Sequence, residues 1–94
     1  MKTNDEAIKT LYKQYKNNKN LKIKIILRDG NQLTGYLIGH YYNGFGEIIE
    51  WDFLEEKFVK DAKEINIFTD NDIKVKQSEI LQVYFIETNE TLNF

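Results

Sequence analysis

The run QLTGYLIGHYY, residues 32–42, restricts the fold more than any other part of the chain. Apolar and polar residues alternate along it, which predicts a long strand. Glycine inside a strand costs roughly 0.5–1 kcal/mol, yet the run contains two. The predicted faces are Leu33, Gly35, Leu37 and Gly39 on one side, and Thr34, Tyr36, Ile38 and His40 on the other. Two glycines on one face predict a sharp bend or close approach of another backbone, as small curled barrels require.

The flanking segments predict antiparallel neighbours for this strand. LKIKIILR, residues 21–28, alternates between apolar residues and Lys22, Lys24 and Arg28. DGN at 29–31 predicts a hairpin turn, since glycine accepts positive φ. NGFG at 43–46 predicts a second turn before EIIEWDF. There, Ile49, Trp51 and Phe53 alternate with Glu50 and Asp52.

The N-terminal segment predicts an α-helix over residues 4–17. Its apolar stripe has helical spacing and comprises Ile8, Leu11, Tyr12 and Tyr15. Lys9, Lys13 and Lys16 recur with the same spacing on another face. We call these three residues the lysine row. They are either an ordinary solvated helix face or a phosphate-binding surface.

The C-terminal half predicts further short strands. Residues 54–64 could finish the third strand, form a loop or add a helical turn. A strand pair or one bulged strand is predicted by INIFT (65–69) and IKVK (73–76). A 3-10 turn is predicted for QSEI (77–80), and the last strand for LQVYFIE (81–87). The tail, 87–94, should fray unless Leu92 and Phe94 dock.

Together these elements predict one domain over residues 1–94, with a helix (about 4–17), a barrel (about 21–86) and a tail. The expected fold is mainly β (α+β): an N-terminal helix followed by a strongly bent five- or six-stranded antiparallel barrel of SH3-like size. A five-stranded unit leaves strand edges open, which predicts a homo-oligomer formed through those edges.

Composition argues against several classes of protein. The chain has no cysteine for a disulfide or thiolate site and no apolar run long enough for a membrane span. We therefore expect a cytoplasmic, non-membrane protein. The single histidine, His40, stands among tyrosines, and the Asp70 turn lacks the glycine and glutamate of a calcium loop. We expect no catalysis, cofactor or metal.

Charge is divided along the chain. Residues 1–28 hold eight basic residues against two acids, a net +6, whereas residues 29–94 hold five lysines against thirteen acids, a net −8. Each part could therefore meet a different kind of partner.

Over residues 5–86 the chain resembles the Sm-like family, which includes the bacterial RNA chaperone Hfq. The resemblance is carried by the helix, the DG turn at 29–30, G-x-L at 35–37 and the closing segment IKVKQSEILQVYF. It implies a bent five-stranded barrel, ring assembly by strand pairing and RNA binding without catalysis. HYYNGFG stands where that family carries an acidic residue and an asparagine. A weaker similarity is to the small Sm-like inhibitors of the transcription terminator Rho, which are acidic and bind a protein.

Two functions follow as alternatives. As an RNA-binding module, the chain would place on phosphates Lys9, Lys13, Lys16, Lys22, Lys24 and Arg28, and would stack bases on Tyr41, Tyr42 and Phe45. As a protein-binding regulator or inhibitor of a nucleic-acid enzyme, it would present to a basic partner Glu47, Glu50, Glu55 and Glu56.

Overall fold

The computed structural model describes residues 2–18, 21–59 and 71–94, with side chains from residue 6 onwards. The described residues form one helix, α1 (Lys2–Asn17), and six strands, β1 (Ile23–Leu27), β2 (Gln32–Tyr42), β3 (Ile48–Glu55), β4 (Ile73–Lys76), β5 (Ile80–Phe85) and β6 (Glu90–Asn93). Single 3-10 turns span Glu56–Phe58 and Gln77–Glu79. The protein is thus mainly β, with one N-terminal helix, as predicted.

All six strands belong to one antiparallel sheet in the order β4-β3-β2-β1-β5-β6. In a flat sheet β4 and β5 would lie about 19 Å apart, since neighbouring strands are separated by about 4.8 Å. The chain links them through the 3-10 turn Gln77–Glu79 alone, which advances only about 2 Å per residue. The sheet must therefore curl until the end of β4 comes back near the start of β5.

The inside of this curl is the hydrophobic core, and α1 covers it. Leu11 and Tyr15 of α1 are buried in the same cluster as Ile23, Trp51 and Val83. Ile8 and Tyr12 pack against the cluster while remaining partly exposed. The apolar stripe predicted for the helix is confirmed.

Gly35 is required by a close approach between two strands. A Cβ atom at this position would lie 2.1 Å from the carbonyl oxygen of Leu54 and 2.8 Å from Cα of Glu55. No side chain can occupy that space. The prediction that a glycine in this run admits another backbone is confirmed at Gly35.

Two irregularities in the β2–β3 pairing overturn the predicted alternation. The register shifts between Leu37 and Gly39, so that His40 lies opposite the fully buried Trp51. His40 therefore shares a face with Leu37, contrary to prediction, because a bulge inserts one unpaired residue and reverses the alternation beyond it.

The second shift lies between Tyr41 and Tyr42 and changes which residue at the start of β3 points into the core. Tyr42 pairs with Ile48, which is buried, whereas Ile49 is 48% exposed. The sequence placed Ile49 on the inner face with Trp51. That assignment was wrong because the bulge makes Ile48, and not Ile49, the residue that points into the core.

The C-terminal part matches the sequence in some elements and differs in others. The 3-10 turn before β5 is confirmed, and residues 54–59 finish β3 and then form a 3-10 turn. Residues 60–64 and the predicted strand at 65–69 lie outside the described residues. The segment predicted as a tail contains β6, which pairs with β5, while Leu92 and Phe94 pack against the core. β5 is therefore not the last strand.

Candidate nucleic-acid interface

A cleft of about 450 Å³ opens between the first half of α1 and the β2–β3 hairpin. Its lining consists of Ile8, Lys9 and Tyr12 from the helix, and Tyr42, Asn43, Gly46, Glu47, Ile48 and Ile49 from the hairpin. A mainly apolar floor with a few polar groups at its margin is the usual composition of a small-molecule site.

The hairpin loop that forms one wall of the cleft is organised by Asn43. Its Oδ1 accepts hydrogen bonds from the backbone N–H groups of Phe45 (2.8 Å) and Glu47 (3.1 Å). Its Nδ2 donates to Oε1 of Glu47 at 3.2 Å. Gly46 has a φ of 77°, a conformation that favours glycine. These bonds hold Glu47 at the margin of the cleft and leave Phe45 at the hairpin tip, 89% exposed.

An aromatic cluster extends from the cleft into the core, with His40 at its centre. Ring centroids of Tyr12 and Tyr42 lie 5.1 Å from that of His40, and those of Tyr15 and Trp51 lie 5.5 and 6.2 Å away. Nδ1 of His40 is 3.3 Å from the Tyr15 hydroxyl. These edge-on contacts join the sheet to the helix.

Burial and local contacts shift the pKa values of this cluster. Burial, with a smaller contribution from the Lys16 ammonium, lowers the pKa of His40 below its ordinary value. Burial also raises the pKa of Tyr15. The pKa of the Tyr42 hydroxyl is raised chiefly by its hydrogen bond with Tyr12. These pKa shifts favour the neutral imidazole of His40 and the neutral hydroxyls of Tyr15 and Tyr42.

The lysine row lies beside the cleft. All three side chains are exposed, and with the described side chains none forms an ion pair. Lys9 lines the cleft directly, and Nζ of Lys16 lies 6.0 Å from the centroid of the Tyr12 ring. Positive charge and an exposed aromatic surface thus occur together on this side of the protein.

The other predicted phosphate ligands lie elsewhere. Lys24 sits on the sheet face opposite that covered by α1, because its neighbours Ile23 and Ile25 point into the core. Lys22 forms an ion pair with Glu56 at 2.6 Å, which raises the Lys22 pKa. Arg28, in the turn after β1, donates from Nε to the carbonyl of Ser78. The expected continuous surface from the lysine row through β1 is not formed.

The three predicted base-stacking residues are also divided. Tyr42 lines the cleft and Phe45 projects from the hairpin beside it. Tyr41 lies on the other face, where its hydroxyl donates to Oδ2 of Asp52 at 2.6 Å and accepts from Nζ of Lys74 at 2.8 Å. The Lys74 ammonium also lies 4.4 Å from the Tyr41 ring centroid. Tyr41 is thus already engaged on both its hydroxyl and its ring.

The four glutamates of the protein-binding alternative do not form one patch. Glu47 lies at the cleft, whereas Glu50 pairs with Tyr41 and Lys76 across the sheet. Glu56 is the ion-pair partner of Lys22, and Glu55 has an oxygen 4.0 Å from Nζ of Lys57. The acidic charge is therefore dispersed and partly neutralised.

Sequence reasoning missed three contributions to the cleft. Tyr12 was assigned to the helix stripe, and Glu47 to a protein interface. The position of Ile49 depends on a bulge. Only the helical spacing of Tyr12 and Lys9 indicated that one helix presents both an aromatic ring and a cation beside the hairpin.

The described part of the chain was also searched for clusters of metal-ligating side chains and for membrane-spanning helices. Across residues 6–18, 21–59 and 71–94, no three His, Asp or Glu side chains are grouped to hold a metal ion. Within the same part of the structure, no helix combines the length and apolar character needed to cross a bilayer.

Comparison of the chain with protein-family models, curated proteins and solved structures gave no significant match.

Proposed function

We propose that this protein is a non-catalytic Sm-like module that binds single-stranded RNA along α1 and the adjacent cleft. The observation that carries the proposal is the exposed lysine row beside an open aromatic cleft. The Sm-like assignment is supported by the helix before β1, the glycine-dependent contact in β2 and the 3-10 turn before β5.

Two physical terms would provide the affinity. Lysines that form no ion pair with the described side chains can neutralise phosphates and release counterions, which gives binding that is independent of sequence. Bases stacked on Tyr42 and Phe45 would each add roughly 1–3 kcal/mol. Tyr41, Lys22, Lys24 and Arg28 are left out of this surface because of where the fold places them.

The test is fluorescence anisotropy with a labelled pool of short single-stranded RNAs. Lys13→Glu with Lys16→Glu should weaken binding at least about ten-fold, because two phosphate contacts become repulsive. The matched control is Lys57→Glu with Lys76→Glu, which makes the same charge change on exposed residues away from α1 and should bind nearly as the parent does.

Equal losses in the two double variants would contradict the proposed surface and indicate that net charge alone governs binding. Absence of RNA binding by the parent protein would contradict the proposal itself. Protein binding would then be the favoured alternative, although the dispersed glutamates support it less.

A further inference from the structure

The cleft presents two charged groups of opposite sign. Lys9 lies on the helix wall and Glu47 on the hairpin wall. The described structure contains no ion pair between them. Of the other polar side chains of the lining, Asn43 uses its Oδ1 on two backbone N–H groups and its Nδ2 on Glu47, and the hydroxyls of Tyr12 and Tyr42 bond to each other.

Glu47 is consequently the main hydrogen-bond acceptor that the cleft can offer a ligand. An ionised carboxylate accepts at two oxygens and donates none, and among the described residues Asn43 donates to one oxygen of Glu47, Oε1. The loop fixes the Glu47 backbone through its N–H, and the Asn43 amide holds one oxygen of the carboxylate at the hairpin wall of the cleft.

We propose that this cleft receives a guanine base of the bound RNA, with Glu47 accepting from the Watson–Crick edge and Tyr42 contacting the base face. This inference rests on the proposed function and deepens it by naming the base. Lys9 would contact the attached phosphate or the O6 atom.

The chemistry of the four bases favours guanine here. Guanine presents two adjacent donors, N1–H and the N2 amino group, which match the two oxygens of a carboxylate. Adenine and cytosine present one amino group beside a ring-nitrogen acceptor, which the carboxylate repels. Uracil presents one N–H between two carbonyl oxygens. Stacking tolerates every base, so the carboxylate determines the preference.

The experiment uses uridine heptamers that differ only at the central position, which is guanine, inosine, adenine, cytosine or uracil. Anisotropy should show the guanine heptamer binding roughly ten-fold more tightly than the uracil heptamer, the discrimination typical of a two-bond base contact. Inosine, which lacks the N2 amino group, should fall between them.

Glu47→Gln should remove most of this preference, since the amide replaces one acceptor by a donor, and any gain in affinity from the lost negative charge should be the same for all five heptamers. Glu50→Gln is the matched control, because Glu50 pairs within the sheet outside the cleft, and it should retain the preference. Circular dichroism confirms that both variants fold.

Equal affinity for all five heptamers, with the Lys13 and Lys16 effect intact, would overturn the guanine assignment and leave RNA binding standing. If no heptamer binds, the proposed function fails, and the cleft is tested directly with guanosine and adenosine monophosphates. NMR shifts at Tyr42 and Ile48 for guanosine monophosphate alone would support the base assignment. Identical or absent shifts would refute it.

Discussion

Gly35 is the residue at which a single added carbon has the clearest consequence. Gly35→Ala would force Cβ against the Leu54 carbonyl at 2.1 Å, and backbone atoms cannot move aside as a flexible side chain can. We expect a loss of about 3 kcal/mol or more, at or beyond the upper end of typical overpacking costs. Urea unfolding followed by circular dichroism measures it.

Gly44→Ala is the matched control, since a Cβ there would meet nothing within 4 Å. It should change stability by no more than about 0.5 kcal/mol. If the two alanine variants were equally stable, the strands could not approach at Gly35 as closely as the structure describes.

His40 predicts a pH dependence of stability, because its pKa in the folded protein is lowered, chiefly by burial. The unfolded chain, with a pKa near 6.5, binds the proton more readily. The contribution of neutral His40 is therefore present above about pH 6.5 and is lost as pH falls through the folded pKa. We expect the free energy of unfolding to be lower at pH 5 than at pH 7.5.

His40→Phe tests this while keeping an aromatic ring among Tyr12, Tyr15 and Trp51. The chain contains one histidine, so the difference in pH dependence between parent and variant reports the titration of His40. If the free energies of unfolding of the two proteins changed in parallel between pH 5 and 7.5, His40 would have the same pKa in the folded and unfolded states, contrary to the prediction.

At the scale of elements, the features predicted correctly from the sequence were those set by residues close together in the chain. β1 and its turn were predicted because alternation and the Asp29–Gly30 pair act within a few residues, and Gly30 has the expected positive φ of 93°. The bulges in β2 and β3 could not be predicted, because they depend on pairing between strands. Because the sequence-based assignment contained no bulges, it placed His40 and Ile49 on the wrong faces of the sheet.

β6 was missed for a different reason. Its residues are polar except for Leu92, and the strand exists because it completes the hydrogen bonds of β5 and because Leu92 and Phe94 reach the core. The sequence named the docking of Leu92 and Phe94 as the condition for an ordered tail, but the pairing with β5 depends on residues outside the tail. The predicted oligomer through strand edges stays a prediction, and the edge of β5 is already occupied by β6.

Deleting residues 90–94 should therefore destabilise the protein and change its association. Loss of two partly buried apolar side chains should cost about 2 kcal/mol or more, and exposed β5 would present unpaired N–H and C=O groups to another chain. Light scattering should show a larger, concentration-dependent mass. Thr91→Glu, an exposed position on an intact β6, should keep the parent mass. An unchanged mass after deletion would show that β6 does not protect this edge.

At the scale of the whole molecule, distribution of charge matters more than its sum. The chain carries a net charge of −2, which by itself disfavours RNA. The fold nevertheless gathers Lys9, Lys13 and Lys16 on one exposed side and, of the four glutamates assigned to a protein interface, brings Glu47 alone to the cleft. The sequence identified the lysine row, Tyr42 in the cleft and Phe45 beside it. It could not show that Tyr41 and Lys24 point away from the cleft, because that follows from the curl of the sheet.

This arrangement predicts a modest salt dependence of RNA binding. Each phosphate contact on a single strand contributes about −0.7 to the slope of log affinity against log salt, so the lysine row should give a slope near −2. Lys13→Glu with Lys16→Glu should reduce it to about −0.7 or less, whereas Lys57→Glu with Lys76→Glu should keep it. A slope far steeper than −2 would mean that phosphates also reach Lys24 and Arg28, and a slope near zero would mean that the base contacts at Tyr42 and Phe45 carry the affinity alone.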